Sequence, residues 1–126
     1  MQLNRKEDQP EAIRSSGGEI VHEILGIRAG GGKSHSVAKI TLPPGGASLR
    51  HFHKHSEESY LIHTGTAHLT LDQKTYELLP GDAVLIEPYE VHQIANRGEE
   101  DLIFTAVCVP PWHPGDSFNQ DDSESA

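Results

Sequence analysis

The sequence predicts a single all-β domain, folded as a sandwich or a barrel, from two features of its composition. Glycine and proline recur at short intervals along the 126-residue chain, so potential turns punctuate nearly all of it. The segments between these turns are short and rich in β-branched and aromatic residues, which is typical of closely spaced strands. No segment has the pattern of a helix of useful length. A chain of this length fits one domain with its own hydrophobic core.

The predicted strands lie between these turns, in chain order. Gly17-Gly18 precedes the first strand, the glycines at 30–32 separate it from the second, and Pro43 ends the second. The third and fourth strands hold a histidine-rich stretch and end before Gly65. The strands are predicted at residues 19–25, 37–42, 48–53, 59–64, 67–71, 74–78, 83–86, 91–96 and 102–109.

The strands between residues 67 and 86 carry the clearest local signals. Apolar and polar side chains alternate on both sides of Asp72-Gln73, which predicts a hairpin over residues 67–78. A Pro80-Gly81 turn then precedes the strongly apolar strand at 83–86. The buried face of the hairpin is predicted to include Ala67, Leu69 and Leu71.

The two ends of the chain differ in character from its middle. Residues 1–16 are polar with few apolar anchors, and residues 116–126 are polar and acidic. We expect a polar N-terminal segment at 1–16, a barrel at 17–115 and an acidic, disordered tail at 116–126, with both ends frayed.

Charge and cysteine content exclude several classes of function. The formal net charge is -9, and no Lys or Arg follows Arg97. Such a surface repels phosphate backbones and anionic lipid, so we expect no nucleic-acid or membrane partner. The single cysteine, Cys108, excludes an intramolecular disulfide and is predicted to be a buried, inert thiol. With a polar start and no long apolar run, the chain is expected to be cytoplasmic.

Residues 50–65 concentrate the groups that can carry chemistry. This stretch holds four of the nine histidines and two adjacent glutamates. In a strand, residues i and i+2 share a face about 6.6 Å apart, so His51 and His53 can direct their rings at one point. Glu58 after a turn, and His92 at the start of a distant strand, would complete a cluster of nitrogen and oxygen donors. His53 with His55, and Glu57 in place of Glu58, form a competing set by the same reasoning.

The spacing of these residues resembles that of the cupin family. The first cupin motif, G(X)5HXH(X)3-4E(X)6G, is matched over residues 45–65, and the second, G(X)5PXG(X)2H(X)3N, keeps its overall spacing over residues 81–96. The second motif expects Pro at 87 and Gly at 89, where this chain has Glu87 and Tyr89. The matching residues are Gly45, His51, His53, Glu58, Gly65, Gly81, His92 and Asn96.

The resemblance implies both a fold and a metal site. The fold is a double-sheet jelly-roll barrel. His51, His53, Glu58 and His92 would hold one divalent transition metal ion inside it, and this donor set suits Fe, Mn, Ni, Zn or Cu. The distance from Glu58 to Gly65, and the parity that Glu58 shares with Tyr60 and Ile62, favour this set over the one with His55 and Glu57.

The site predicts a metal-dependent enzyme of the dioxygenase or oxidoreductase type, acting on a small chelating organic substrate. The alternatives are a redox-neutral sugar or hydroxy-acid isomerase, epimerase or lyase, and a binding module without turnover. Tyr60 is a candidate catalytic group on the inward face, although simple packing also explains it. Because jelly-roll sheets leave exposed edges, a homodimer is expected.

Overall fold

The computed structural model describes residues 1–120, which form two antiparallel sheets. The strands are β1 (Ile13–Arg14), β2 (Ile20–Leu25), β3 (Ser36–Leu42), β4 (His51–Phe52), β5 (Glu57–Thr64), β6 (Ala67–Leu71), β7 (Lys74–Leu78), β8 (Ala83–Ile86), β9 (His92–Asn96), β10 (Leu102–Val109) and β11 (Phe118–Asn119). Single 3₁₀ turns lie at Lys6–Asp8 and Pro114–Asp116. The prediction of an all-β, double-sheet jelly-roll barrel is confirmed.

The strand order explains how distant parts of the chain meet. The first sheet has the order β1-β2-β3-β10-β5-β8, and the second has the order β11-β4-β9-β6-β7. Neighbours in space are therefore mostly distant in sequence, as in β10, which pairs with both β3 and β5. The hairpin predicted around Asp72-Gln73 is confirmed, because β6 pairs with β7 through Leu71 and Lys74.

The core is formed by alternate residues of strands such as β5, β9 and β10, as period-2 alternation requires. On β5, Glu58, Tyr60 and Ile62 are buried, while Leu61 is exposed. Together with residues of β9 and β10 they surround the interior. The buried apolar residues are Ile40, Leu42, Tyr60, Ile62, Ala67, Leu69, Ile86, Ile94, Leu102, Phe104 and Ala106.

The third predicted strand is much shorter than expected. Only His51–Phe52 of residues 48–53 is a strand. The preceding residues instead bond to other parts of the chain: the Ala47 N–H donates to Gly17 O at 2.9 Å, and the Ser48 N–H donates to Ile94 O at 2.9 Å. A loop tied at these points, rather than a continuous strand, therefore leads to His51.

The expectation that residues 1–16 fray is wrong where the segment meets the barrel. Ile13–Arg14 forms β1, which pairs with β2 and covers the edge of the first sheet. Further back, Asn4 Nδ2 lies 2.9 to 3.2 Å from the carbonyl oxygens of Ile24, Ala29 and Gly30. These contacts attach the N-terminal segment to the first sheet.

The acidic tail predicted from residue 116 also needs correction. Asp116 is 2% exposed, and β11 pairs with β4 through Phe118↔Phe52 and Asn119↔His51. The aromatic ring of Phe118 stacks on Phe52 at 5.5 Å, which anchors the segment that composition marked as polar. Residues 121–126 lie outside the described residues.

Several turn positions have left-handed backbone, and Gly65 and Tyr89 are two of them. Gly65, between β5 and β6, has φ +83°, and a Cβ there would lie 2.8 Å from Asp101 O, so only glycine fits. Tyr89, at the position where the second cupin motif has glycine, has φ 69°. Its N–H donates to His53 O at 2.7 Å, so the turn is fixed directly beside a predicted metal ligand.

Within residues 1–120 the structure has no helix that is long and apolar enough to cross a bilayer.

Candidate metal centre

The structure brings the four predicted metal ligands together. His51, His53, Glu58 and His92 each offer one ligand atom, and these atoms all lie within 4.8 Å of one another. His53, Glu58 and His92 are buried, and His51 is half-buried. The two residues that distinguish the competing set, His55 and Glu57, are exposed and lie outside this cluster. The four residues of the sequence-based choice therefore lie together, and neither alternative residue joins them.

Strand pairing places these side chains. His51 on β4 is the direct neighbour of His92 on β9, and their ring centroids are 4.2 Å apart. His53 is two residues after His51 and lies on the same side, with a centroid distance of 5.2 Å. Glu58 comes from β5 in the other sheet, where it pairs with Cys108 and Ile86. The cluster thus lies between the two sheets.

Each histidine ring is held by a backbone carbonyl at its Nδ1 atom. The partners are Leu49 O for His51 at 2.7 Å, Asp116 O for His53 at 2.7 Å and Glu90 O for His92 at 2.9 Å. A carbonyl oxygen can only accept, so Nδ1 of each ring carries the proton. In the neutral rings the Nε2 atoms are then left with free lone pairs, which is the state that binds a metal.

The contacts of Glu58 show that a cation fits at the centre of the cluster. Its Oε1 atom lies 3.2 Å from His92 Nε2 and 3.5 Å from His53 Nε2, and the latter forms no hydrogen bond among the described residues. With Nδ1 protonated in both rings, these are three acceptors facing one another. Such an arrangement is stable only with a positive charge between them, supplied by protons or by a metal ion. The donor set therefore fits a divalent metal.

The electrostatics differ between the histidines of the metal-free cluster. Burial lowers the pKa of His53, but the neighbouring carboxylate of Glu58 outweighs it and raises that pKa above its ordinary value. Burial lowers the pKa of His51 to about 4, and the neighbouring His92 adds to this, so His51 is neutral near pH 7. Burial alone raises the pKa of Glu58, but the adjacent imidazoles of His53 and His92 outweigh it and hold that pKa well below its usual range. The cluster thus combines an ionised carboxylate with at least one neutral imidazole.

The thiol of Cys108 contacts the second carboxylate oxygen of Glu58. Its S–H donates to Glu58 Oε2 at 3.3 Å, and Cys108 is 3% exposed. Burial raises the pKa of this thiol far above its ordinary value, and the charge of Glu58 acts in the same direction. Cys108 is therefore a neutral, buried thiol as predicted, and it is also a positioning group for Glu58, which the sequence did not suggest.

Asp116 organises the loop between His53 and Glu58. Its carboxylate accepts the backbone N–H groups of Lys54, His55 and Ser56 at 2.9 to 3.2 Å. Its own carbonyl accepts the Nδ1–H of His53. Sequence reasoning missed this residue, because its acidic surroundings resemble a solvated tail and its partners are about sixty positions earlier in the chain.

Tyr60 lies behind the cluster and packs against it. It is 2% exposed, and its ring makes edge contacts with His92 at 6.2 Å and with Phe104 at 4.8 Å. Burial raises the pKa of Tyr60 well above its usual value, and the charge of Glu58 adds to this effect, so the phenol is neutral. Its ring forms part of the wall of the adjoining cavity.

A cavity of about 230 Å³ adjoins the cluster. His51, His53 and Glu58 line one side of it, and residues of the N-terminal hairpin, including Ser15 and Glu19, line another. Burial raises the pKa of Glu19 to about 7, with a further contribution from the charge of Glu58. Sequence reasoning missed both hairpin residues, because the position of the hairpin over the cluster depends on long-range packing.

Two known proteins are similar in sequence to this chain over most of its length. The uncharacterized protein MJ1618 of Methanocaldococcus jannaschii is 34% identical over 100 residues, covering 79% of this chain and 80% of that protein. The oxalate-binding protein of Thermotoga maritima is 31% identical over 113 residues, covering 86% of this chain and 93% of that protein.

The fold is also found in a solved structure of related sequence. A sugar phosphate isomerase from a cupin superfamily, from Silicibacter pomeroyi, superposes with a TM-score of 0.66 at 26% identity, covering 80% of this chain and 69% of that one. Residues 38–109, which include all four predicted metal ligands, match the cupin domain family. With the jelly-roll barrel and this match over more than half of its length, the chain belongs to the cupin family.

Proposed function

We propose that this protein binds a small chelating carboxylate on a divalent transition metal held by His51, His53, Glu58 and His92. The observation that carries the proposal is the convergence of four ligand atoms within 4.8 Å, with every histidine anchored by a carbonyl at Nδ1. Three neutral imidazoles and one carboxylate leave a net charge of about +1 around a divalent ion, which attracts an anionic ligand.

The donor set also supports a chelating ligand. Four protein ligands on a six-coordinate ion leave two positions open, which a ligand with two neighbouring oxygens can fill. A divalent transition metal there supplies a Lewis acid and, for Fe(II) or Mn(II), access to oxygen chemistry. The oxalate-binding relative is consistent with this ligand class, because oxalate has two adjacent carboxylates.

The cavity supports a small ligand rather than a phosphorylated one. Its volume of about 230 Å³ lies below the range of roughly 300–1,000 Å³ that is common for larger ligands. Among the described residues that line it, none is Lys or Arg, so no side chain is available to neutralise a phosphate. Two carboxylates, Glu19 and Glu58, lie in its wall instead. A small carboxylate bound mainly through the metal fits these properties best.

We infer oxidative turnover of the dioxygenase or oxidoreductase type as the first candidate reaction. Its support is the apolar part of the cavity lining next to the candidate metal ligands, which suits a dissolved gas as co-substrate. The apolar residues of this wall include Val21, Ala38, Ile40, Leu49 and Ala106. A redox-neutral isomerase, epimerase or lyase is the second candidate, favoured by Glu19, whose carboxyl can exchange a proton near neutral pH.

The test begins with metal-free protein reloaded with Mn(II) or Fe(II). Calorimetric titration should show oxalate binding to the loaded protein and no binding to the metal-free form. His53→Ala should abolish Mn(II) binding, whereas His55→Ala, a control at an exposed position two residues away, should leave it unchanged. Oxalate binding that is equal with and without metal would contradict the proposal.

Activity assays on the same metal-loaded protein distinguish the candidate reactions. Oxygen consumption that requires both metal and a chelating carboxylate supports the oxidoreductase, and product formed without oxygen supports the redox-neutral enzyme. Tight ligand binding with no product, either with or without oxygen, supports a binding module without turnover.

The oligomeric state is a separate proposal. We propose a homodimer, because β7 and β8 are edge strands of their sheets among the described residues. Elution as a monomer in size-exclusion chromatography at working concentration would contradict it.

A further inference from the structure

The N-terminal hairpin presents one polar pair to the cavity. β1 and β2 pair through Ile13↔Val21 and Arg14↔Ile20, and the Ser15 N–H donates to Glu19 O at 3.0 Å, so Ser15 and Glu19 lie opposite each other. Alternation along both strands directs Ile13, Ser15, Glu19 and Val21 to one face. All four of these residues line the cavity.

The tip of this hairpin is fixed beside the metal ligands. Gly17 O accepts the Ala47 N–H at 2.9 Å, and the backbones pack so closely that a Cβ on Gly17 would overlap Ala47 O. Ala47 continues into Ser48 and Leu49, which also line the cavity, and Leu49 O holds the ring of His51. The polar pair therefore has a defined position relative to the metal ligands.

Both members of the pair have unused hydrogen-bonding capacity. Ser15 Oγ is buried and has no hydrogen-bond partner in the part of the chain that the structure describes. The Glu19 carboxyl likewise has no side-chain hydrogen bond or ion pair within residues 1–120. A buried hydroxyl is normally paired, so the unpaired Ser15 Oγ, on the same face as the Glu19 carboxyl and beside a candidate metal centre, indicates a missing ligand group.

We propose that Ser15 and Glu19 form a hydroxyl-binding subsite, so that the ligand of the metal centre is a small hydroxy-carboxylate with a hydroxyl beyond its chelating oxygens. This inference rests on the proposed function. A hydroxyl group donates one hydrogen bond and accepts others, which matches a serine hydroxyl beside a carboxyl group. A phosphate or a second carboxylate does not match, because the lining contains Glu19 and neither Lys nor Arg among the described residues.

The protonation of Glu19 is compatible with this role. Burial raises its pKa to about 7, so the carboxyl is present in both forms near neutral pH. A hydroxyl can bond to either form, as a donor to the ionised carboxylate or as an acceptor from the neutral acid. The subsite therefore does not depend on a single protonation state.

The experiment compares lactate with glycerate, which differ only by a hydroxyl on the third carbon. Both chelate a metal through a carboxylate and the neighbouring hydroxyl, and only glycerate has a further hydroxyl for the subsite. In calorimetric titration of the Mn(II)-loaded protein, glycerate should bind about tenfold more tightly than lactate. Ser15→Ala and Glu19→Ala should each lower the affinity for glycerate more than the affinity for lactate, so that the ratio of the two affinities approaches one.

Exposed neighbours provide matched controls. Ser16→Ala and Glu11→Ala change the same residue types outside the cavity and should leave the preference for glycerate intact. Equal binding of lactate and glycerate by the wild type would overturn the subsite, and so would variants that weaken both acids equally. If lactate, glycerate and oxalate all fail to bind the loaded protein, the proposed function is overturned and the subsite with it.

Discussion

Replacement of Asp116 by asparagine should weaken both the fold and the metal centre. The Asp116 carboxylate accepts three backbone N–H groups with its two oxygens, from Lys54, His55 and Ser56. Asparagine keeps the shape of the side chain but has one acceptor oxygen, and its amide nitrogen would face an N–H donor. The substitution thus leaves one buried donor unpaired and removes the charge from the remaining bonds.

The magnitude follows from these contacts. An unsatisfied buried N–H costs about 1–3 kcal/mol, and the weakened charged bonds add to this, so Asp116→Asn should lower the free energy of unfolding by about 2–4 kcal/mol. Metal affinity should fall by roughly 10- to 100-fold, the usual effect of losing a group that positions a ligand, because the carbonyl that holds His53 belongs to the same residue.

The assay is urea unfolding of the metal-free protein together with calorimetric titration of Mn(II). Asp101→Asn, which changes an exposed aspartate with no side-chain hydrogen bond among the described residues, is the control and should behave like the wild type. If Asp116→Asn matches the wild type in both unfolding free energy and Mn(II) affinity, the reasoning about this carboxylate is refuted.

The effect of Asp116→Asn should also depend on pH. Burial alone raises the pKa of Asp116, but the N–H groups of Lys54, Ser56 and His55 outweigh it and hold the pKa below its ordinary value of 3.8. A carboxyl with a lowered folded-state pKa stabilises the protein fully above its unfolded pKa, and this stabilisation is lost as the pH falls through the lowered value. The difference between variant and wild type should therefore shrink below about pH 4.

Three further predictions follow from other contacts. Glu19→Gln should be more stable than the wild type at pH 8 by at most about 3 kcal/mol and equal to it near pH 4, because folding raises the pKa of Glu19 from 4.5 to about 7 and so disfavours its ionised form. Urea unfolding of metal-free protein at both pH values measures this, and a difference independent of pH would contradict it. Gly65→Ala should lower the free energy of unfolding by about 2–4 kcal/mol, because φ at this position is +83° and the new Cβ would meet Asp101 O. Unchanged stability in the same assay would contradict this prediction, because it would mean that the turn can relax around the new side chain. Cys108→Ala should lower Mn(II) affinity by about 3- to 10-fold, because it removes the hydrogen bond to Glu58. Cys108→Ser keeps a hydrogen-bond donor and should lower Mn(II) affinity less. If both variants lower the affinity equally, the effect comes from packing and not from the hydrogen bond.

Local patterns in the sequence were sufficient for most of the barrel and for the pair His51 and His53, whereas the resemblance to the cupin motifs supplied the full set of candidate metal ligands. Alternation along β5 predicted that Glu58, Tyr60 and Ile62 share the inward face, and all three are buried. The HXH spacing predicted that His51 and His53 converge, because two residues of a strand or extended segment separated by one lie on the same side. These features depend on neighbouring residues, which a sequence displays directly.

The residues that sequence reasoning missed act through long-range contacts. Asp116 bonds to a loop about sixty residues earlier, and composition alone marks its surroundings as a solvated acidic tail. Ser15 and Glu19 lie on a hairpin whose first strand, Ile13–Arg14, has two residues and no periodic pattern to detect. Their place beside the metal ligands depends on the packing of Gly17 against Ala47, which no local pattern encodes.

The most direct test of the metal centre is the anomalous scattering of a crystal of the protein loaded with Mn(II). The structure predicts one strong peak per chain, bonded to the Nε2 atoms of His51, His53 and His92 and to the carboxylate of Glu58, with each Nδ1 still donating to its carbonyl. A peak bonded through Nδ1, a peak at His55 or Glu57, or no peak between the two sheets would contradict the account.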